Sequence, residues 1–204
     1  MKTILRLAVL GVFVIAGFIF IKGHWKEGKS KLIHYGRGGL NAVERNYGAE
    51  ADQVATDFDL PANYLKALIA LESSGRKPVP SRFEKHVFQR LKKVRDGSKK
   101  SYEGIDQKDL KNASDEALKN LASSWGPFQL MGYQCLQLGI TVADVRGDDA
   151  IYWGAKWINE EYGKQLRQGK FEQAFRIHNT GSPTGRTHDP SYASKGLRYM
   201  DHFK

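Results

Sequence analysis

The chain has 204 residues, with 32 Lys and Arg against 22 Asp and Glu, a formal charge of +10 and a pI near 9.6. That length suits one catalytic-size domain, and 41% hydrophobic residues, with 10 Phe, 9 Tyr and 4 Trp to fill a core, exclude a wholly disordered chain. A single cysteine, Cys135, excludes an internal disulfide framework, a multi-cysteine zinc site and an iron–sulfur cluster, because each needs at least two sulfurs.

The charge is uneven. Residues 1–40 hold seven Lys/Arg and one acid, whereas residues 41–204 hold 25 bases and 21 acids. The body is therefore only mildly basic, and it carries neither a basic stripe interleaved with aromatics nor a nucleic-acid-binding motif, so no nucleic-acid partner is expected. A mild positive bias also fits an acidic polymer.

Lys2 and Arg6 precede an apolar run, Leu7 to Ile21, and Lys22, Trp25, Lys26, Lys29 and Lys31 follow it. Fifteen residues at ~1.5 Å each reach about 23 Å, the short limit for crossing a bilayer. A cleaved signal peptide wants small residues after the apolar core, and Phe20 to His24 offers none. The preferred reading of residues 1–22 is an uncleaved signal anchor with Trp25 at the interface, a cleaved signal peptide being the alternative. Lys/Arg flank both ends, so charge alone leaves the orientation open. Residues 23–40, rich in Lys and Gly, read as a tether, and residues 41–204 as the folded domain.

Val43, Tyr47, Ala51, Val54, Ala55 and Phe58 predict a helix from Asn41 to Phe58 with one apolar face. Pro61 opens a second helix, apolar almost all round through Leu71, which Gly75 stops. Phe83 to Leu91 predicts a short helix with Phe83, Val87, Phe88 and Leu91 inward, and the charged residues 92–114 a surface excursion. Ser114 caps a helix to Leu121. Residues 123–132 form a turn into an apolar helix, Asp148 or Asp149 starts a long one, and Phe171–His178 and Tyr192–Phe203 are the last two. No strand alternation is visible, so the fold class is mainly α.

Glu72 lies at the end of the apolar helix beside a glycine break. Desolvation there disfavours the charged form, and a carboxylic acid that keeps its proton near neutral pH can donate it to a leaving oxygen, as glycosidic cleavage requires. A surface glutamate ending its own helix is the plain alternative.

Three further segments accompany Glu72. Ala67-Leu68-Ile69-Ala70-Leu71-Glu72-Ser73-Ser74-Gly75 resembles the helix-then-Glu-Ser segment of lysozyme-like lytic transglycosylases, Gly126-Pro127-Phe128-Gln129 their Gly-x-x-Gln segment, and Phe175 to Gly181 their Ala-Tyr-Asn-x-Gly segment. The N-acetylmuramidase family of phage-type lysins, which adds a Phe-Glu-[Arg/Lys]-His segment, is the closest resemblance; here that segment is Phe83-Glu84-Lys85-His86. The likeness covers about residues 58–200 and implies a lysozyme-like helical domain behind the N-terminal membrane segment.

The resemblance implies an enzyme that cuts the β-1,4 bond between N-acetylmuramic acid and N-acetylglucosamine of peptidoglycan, by lytic transglycosylation or hydrolysis, with no metal or organic cofactor. Glu72 would be general acid and then base, and Glu84 either a second catalytic carboxylate or a structural partner of His86 or an arginine. Ser73 would orient Glu72 or contact sugar, or be a plain helix-end residue. Gln129 and Asn179 would hydrogen-bond an N-acetyl group, Gly126 and Gly181 would let the chain approach the sugar, and Tyr133 and Tyr192 would either stack on a pyranose or fill the core. The chain departs from the pattern at His178, where the transglycosylase segment has Tyr, and in the polar loop 181–190, where Arg186 is either a carboxylate contact or solvated. The expected partners are peptidoglycan glycan strands and, through residues 1–22, the cytoplasmic membrane, with the domain facing the periplasm or cell wall. Two rivals remain: a catalytically silent, membrane-tethered glycan-binding protein, and a cysteine peptidase using Cys135 with His178 or His188. No H-E-x-x-H pair supports a metallopeptidase.

Overall fold

A computed structural model describes residues 39–204, which form one compact unit. The expected anchor and nearly all of the tether lie outside the described residues; within them no helix is long and apolar enough to cross a membrane.

The described chain is mainly helical with a small sheet. Helix α1 covers residues 39–57, and α2, Ala62–Ser73, buries Tyr64, Leu65, Leu68 and Ile69 completely. Even Lys66 is sunk to 7% exposure, its ammonium 3.1 Å from Glu44 and 2.9 Å from Asp52 of α1. Two acids on one lysine offset the cost of removing that charge from water. Ser74, at φ 54°, ψ 29°, closes α2 in the left-handed conformation and donates its N–H to Ala70. Gly75 follows at φ 66°, so close to α1 that a Cβ would sit 2.4 Å from the Val43 nitrogen. Glu72 is thereby held in the last turn of a clamped helix.

The remaining helices are α3 (Lys85–Arg95), α4 (Gln107–Leu110), α5 (Asp115–Leu121), α6 (Gly132–Gln137), α7 (Ala150–Arg167), α8 (Phe171–Thr180) and α9 (Tyr192–His202). Ser114 caps α5 by accepting from the Ala117 N–H, as its sequence predicts. Helix α2 packs on α9, which also packs on α8, and α8 on α7. Helix α7 loses helical geometry at Tyr162 (φ −148°, ψ 20°), just before Gly163, a usual site for a kink.

Three expectations are corrected. Strands do occur: β1 (Arg82–Phe83), β4 (Ser123–Trp125) and β5 (Leu130–Met131) form an antiparallel sheet in the order β1-β4-β5, and β2 (Ser101–Tyr102) pairs with β3 (Ile105–Asp106). Each is two or three residues long, too short for alternation to show. Residues 92–114 are also more than a surface excursion. Val94, Tyr102, Ile105 and Leu110 join Val87, Leu91, Leu118 and Ala122 in a second apolar cluster, separate from the main one that α1, α2 and α7–α9 share. Phe83, expected inward, is 49% exposed on β1 against Phe88.

Candidate active site

The end of α2, the segment after it, the sheet and the end of α8 enclose a cleft of about 440 Å³ that contains Glu72, Arg76, Gln129, His178 and Asn179. A second recess of about 700 Å³ shares Arg82, Glu84, Gln129, Met131, His178 and Asn179 with the first and extends it past Tyr133 and Gly181 to His188. The two make one continuous groove, a shape suited to a polymer.

Glu72 is 17% exposed in its side chain. Its Oε1 accepts a hydrogen bond from the Tyr192 hydroxyl, contributed by the first residue of α9. The imidazole of His178 lies behind it, 5% exposed, with Nε2 3.9 Å from the same oxygen. His178 is held at both nitrogens: Nε2 is 3.0 Å from the Phe128 carbonyl oxygen and Nδ1 2.8 Å from the Tyr162 hydroxyl. Burial pushes its pKa below the ordinary imidazole value, against smaller raising effects of Glu72 and the Phe128 carbonyl.

Glu84 precedes α3 and lines both recesses. One of its oxygens is 2.9 Å from Arg82 Nε and the other 3.6 Å from His86 Nδ1. Gln129 has a left-handed backbone (φ 52°), an unusual conformation for a side-chain-bearing residue. Its amide oxygen accepts from Ser124 at 2.7 Å, and its nitrogen donates to Gly126 at 3.0 Å and Pro80 at 3.5 Å. Gln129 therefore pins the Gly126–Gln129 turn to the sheet as well as facing the cleft. Asn179 is exposed on the shared wall, where its amide can meet a ligand.

Other sequence-selected residues stand elsewhere. Ser73 is 1% exposed and returns its hydroxyl to the Ile69 carbonyl at 2.9 Å, so it touches neither the Glu72 carboxylate nor the cleft. Gly126 lines a separate hollow of about 160 Å³, and its φ of 71° serves a close approach in which a Cβ would lie 2.3 Å from the Val145 carbonyl oxygen. Tyr133 lines the second recess, edge-on to Tyr102 at 5.8 Å, and Gly181 closes α8 at its rim. Tyr192 is 9% exposed and meets Glu72 through its hydroxyl rather than offering a face to a sugar. Arg186 is exposed and lines neither recess. Cys135 is buried in α6, and burial pushes its thiol up to about 11, opposite to what a thiolate nucleophile needs.

Sequence reading missed Tyr162, whose spacing in α7 marks only a core position, and Arg76 and Arg82 at the cleft rim. No local signal marks Tyr162 as the partner of a residue sixteen positions away. Among the described residues, no group of three or more His, Cys, Asp or Glu is placed to hold a metal ion.

The chain matches no known protein-family profile and no curated protein. Its fold is similar to that in the crystal structure of the Burkholderia AP3 phage endolysin, with a TM-score of 0.53 at 20% identity over 76% of this chain and 70% of that one. At this identity the likeness establishes a shared architecture.

Proposed function

We propose that this protein is a peptidoglycan-cleaving enzyme that cuts the β-1,4 bond between N-acetylmuramic acid and N-acetylglucosamine, with Glu72 as acid and then base. The observation that carries the reading is Glu72 itself: a largely buried carboxyl, oriented by Tyr192, opening into a cleft that shares its wall with a second recess. The endolysin-like fold and the Glu-Ser-Ser-Gly segment point the same way.

Glu72 gives its proton to the departing O4 of N-acetylglucosamine as the bond from C1 of N-acetylmuramic acid to that oxygen breaks, and the substrate's own acetamido group assists at C1. The muramyl 6-hydroxyl then attacks C1, forming the C1–O6 bond, and its proton returns to Glu72. The product is a 1,6-anhydro sugar. Transglycosylation is favoured because Glu84 is paired with Arg82 at 2.9 Å, which leaves Glu72 as the carboxyl for both proton transfers. Hydrolysis is the second reading, supported by the position of Glu84 in both recesses, from which it would activate a water. The apolar run 7–21 supports a body tethered to the cytoplasmic membrane and facing the periplasm or wall.

Mass spectrometry of soluble products released from purified peptidoglycan tests the proposal. Anhydro-muropeptides are expected; reducing muropeptides would make hydrolysis the reaction and Glu84 its second carboxylate. Glu72→Gln lowers release by about 10²–10⁴-fold with the fold retained, and undiminished release would overturn the assignment. Equal binding of both proteins to peptidoglycan, with no fragments from either, would instead identify a silent glycan-binding protein.

A further inference from the structure

His178 sits at the centre of the site, yet the cleavage scheme above gives it no task. Its surroundings determine its protonation pattern. The Phe128 carbonyl can only accept, so the nitrogen facing it, Nε2, carries a hydrogen; Nδ1 of the neutral ring then accepts from the Tyr162 hydroxyl. The rings of Trp157 and Tyr162 stand edge-on to the imidazole, with centroids 5.8 and 6.1 Å away.

The ionisable groups around it are Glu72 from α2, Tyr162 from α7, with Tyr64 packed on Tyr162, and Tyr192 from α9, with Arg76, Arg82 and Glu84 on the same cleft wall and His86, Glu103, Glu161 and His188 in the adjoining recess. Among the described residues no lysine or arginine pairs with Glu72, and the basic side chain nearest it is this buried ring, whose charged form desolvation disfavours. Glu72 Oε1 therefore stands between two donors: the Tyr192 hydroxyl, which it holds, and the His178 N–H, which at 3.9 Å is beyond hydrogen-bond reach and is committed to Phe128. A carboxyl that has just lost its proton becomes a stronger acceptor with room for a second donor.

We propose that His178, locked as the Nε2–H tautomer by Tyr162 and the Phe128 carbonyl, is a positioning residue for Glu72: its N–H turns to the carboxylate formed by proton donation and returns to Phe128 when Glu72 regains a proton. An uncharged donor suits this task. It steadies the carboxylate between the two proton transfers without placing a full positive charge in contact with it. The inference rests on the assignment of Glu72 as the acid.

The test measures peptidoglycan turnover from pH 4.5 to 8.5 for His178→Phe, His178→Gln and Tyr162→Phe beside Glu72→Gln. In His178→Phe, kcat falls about 100-fold, the scale of a reacting group misplaced by about 1 Å, while KM is unchanged and the alkaline limb of kcat moves to higher pH. His178→Gln keeps an N–H and recovers part of that loss. Tyr162→Phe removes the lock and costs about tenfold, the weight of one neutral hydrogen bond. Unchanged kcat with an unmoved limb in His178→Phe overturns the proposal, as does a glutamine variant no better than a folded phenylalanine variant. Should His178→Phe not fold, the Tyr162→Phe limb decides, and an unmoved limb overturns the proposal. Retained activity in Glu72→Gln defeats the underlying assignment as well, whereas an inactive Glu72→Gln beside an unaffected His178→Phe defeats this inference alone.

Discussion

Glu72, Tyr192, His178 and Tyr162 come from four helices: Tyr192 hydrogen-bonds Glu72, Tyr162 hydrogen-bonds His178, and 3.9 Å separates His178 from the Glu72 carboxylate. His178 also links the site to stability. In the unfolded chain its imidazole takes up a proton near pH 6.5; in the folded protein burial holds that uptake to lower pH. Its contribution is therefore complete above about pH 6.5 and is lost as pH falls through the folded pKa, because the unfolded state then binds more protons. Urea unfolding between pH 7.5 and 5 is expected to show a decline of at most about 1.4 kcal/mol per pH unit from this residue. Subtracting the profile of His178→Gln isolates it, and parallel profiles would show that the ring titrates alike in both states. Over this window the other acidic residues with resolved shifts, such as Asp189, held low by Lys195 and Ser191, stay ionised in the folded protein.

Among the elements, α2 has the sharpest constraint at its end. Gly75 has a positive φ and no room for a side chain, because the α1 backbone passes 2.4 Å from where a Cβ would be. Gly169 has a similar φ of 70° with nothing within 4 Å of that position. Gly169→Ala is expected to lose about 1–2 kcal/mol for the left-handed backbone alone, and Gly75→Ala that amount plus the cost of moving α1 away from α2, about 1–3 kcal/mol more. Thermal or urea melts of the two variants measure the difference. Equal losses would mean that α1 shifts freely, and Glu72 would then owe little of its placement to this contact. The kink at Tyr162 acts at the same scale, since it lies where α7 presents a hydroxyl to α8.

Across the whole molecule, the main helical core and the smaller cluster around α3–α5 are separate apolar bodies, and the groove runs along elements belonging to both. On the proposed function, a groove in two joined recesses would spread binding over several sugars, and energy gained on remote sugars would be used at the scissile bond. With defined glycan oligomers, kcat/KM is therefore expected to rise with chain length until both recesses are filled. A disaccharide turned over as well as an octasaccharide would show that the second recess binds no sugar.

The sequence by itself determined the helices other than α4 and the last turn of α3, the buried character of α2 and the end at which its glutamate sits, because hydrophobic periodicity, Pro61 and Gly75 act within a few residues of the chain. It also marked Gln129, Asn179 and Glu84, all of which line the groove. Tertiary structure alone decided what those residues do there. Ser73 turned back to its own helix, Gly126 served a contact with Val145, and Tyr192 became a hydrogen-bond donor to Glu72 instead of a stacking platform. The short strands and the second cluster were equally hidden, since two-residue pairings and contacts between α3, the hairpin and α5 leave no local period. The partnership of Tyr162 with His178, and of both with Glu72, depends on how α7, α8 and α2 pack. A local pattern specifies which face of an element is apolar, but the partner of a polar atom is chosen only when the elements dock.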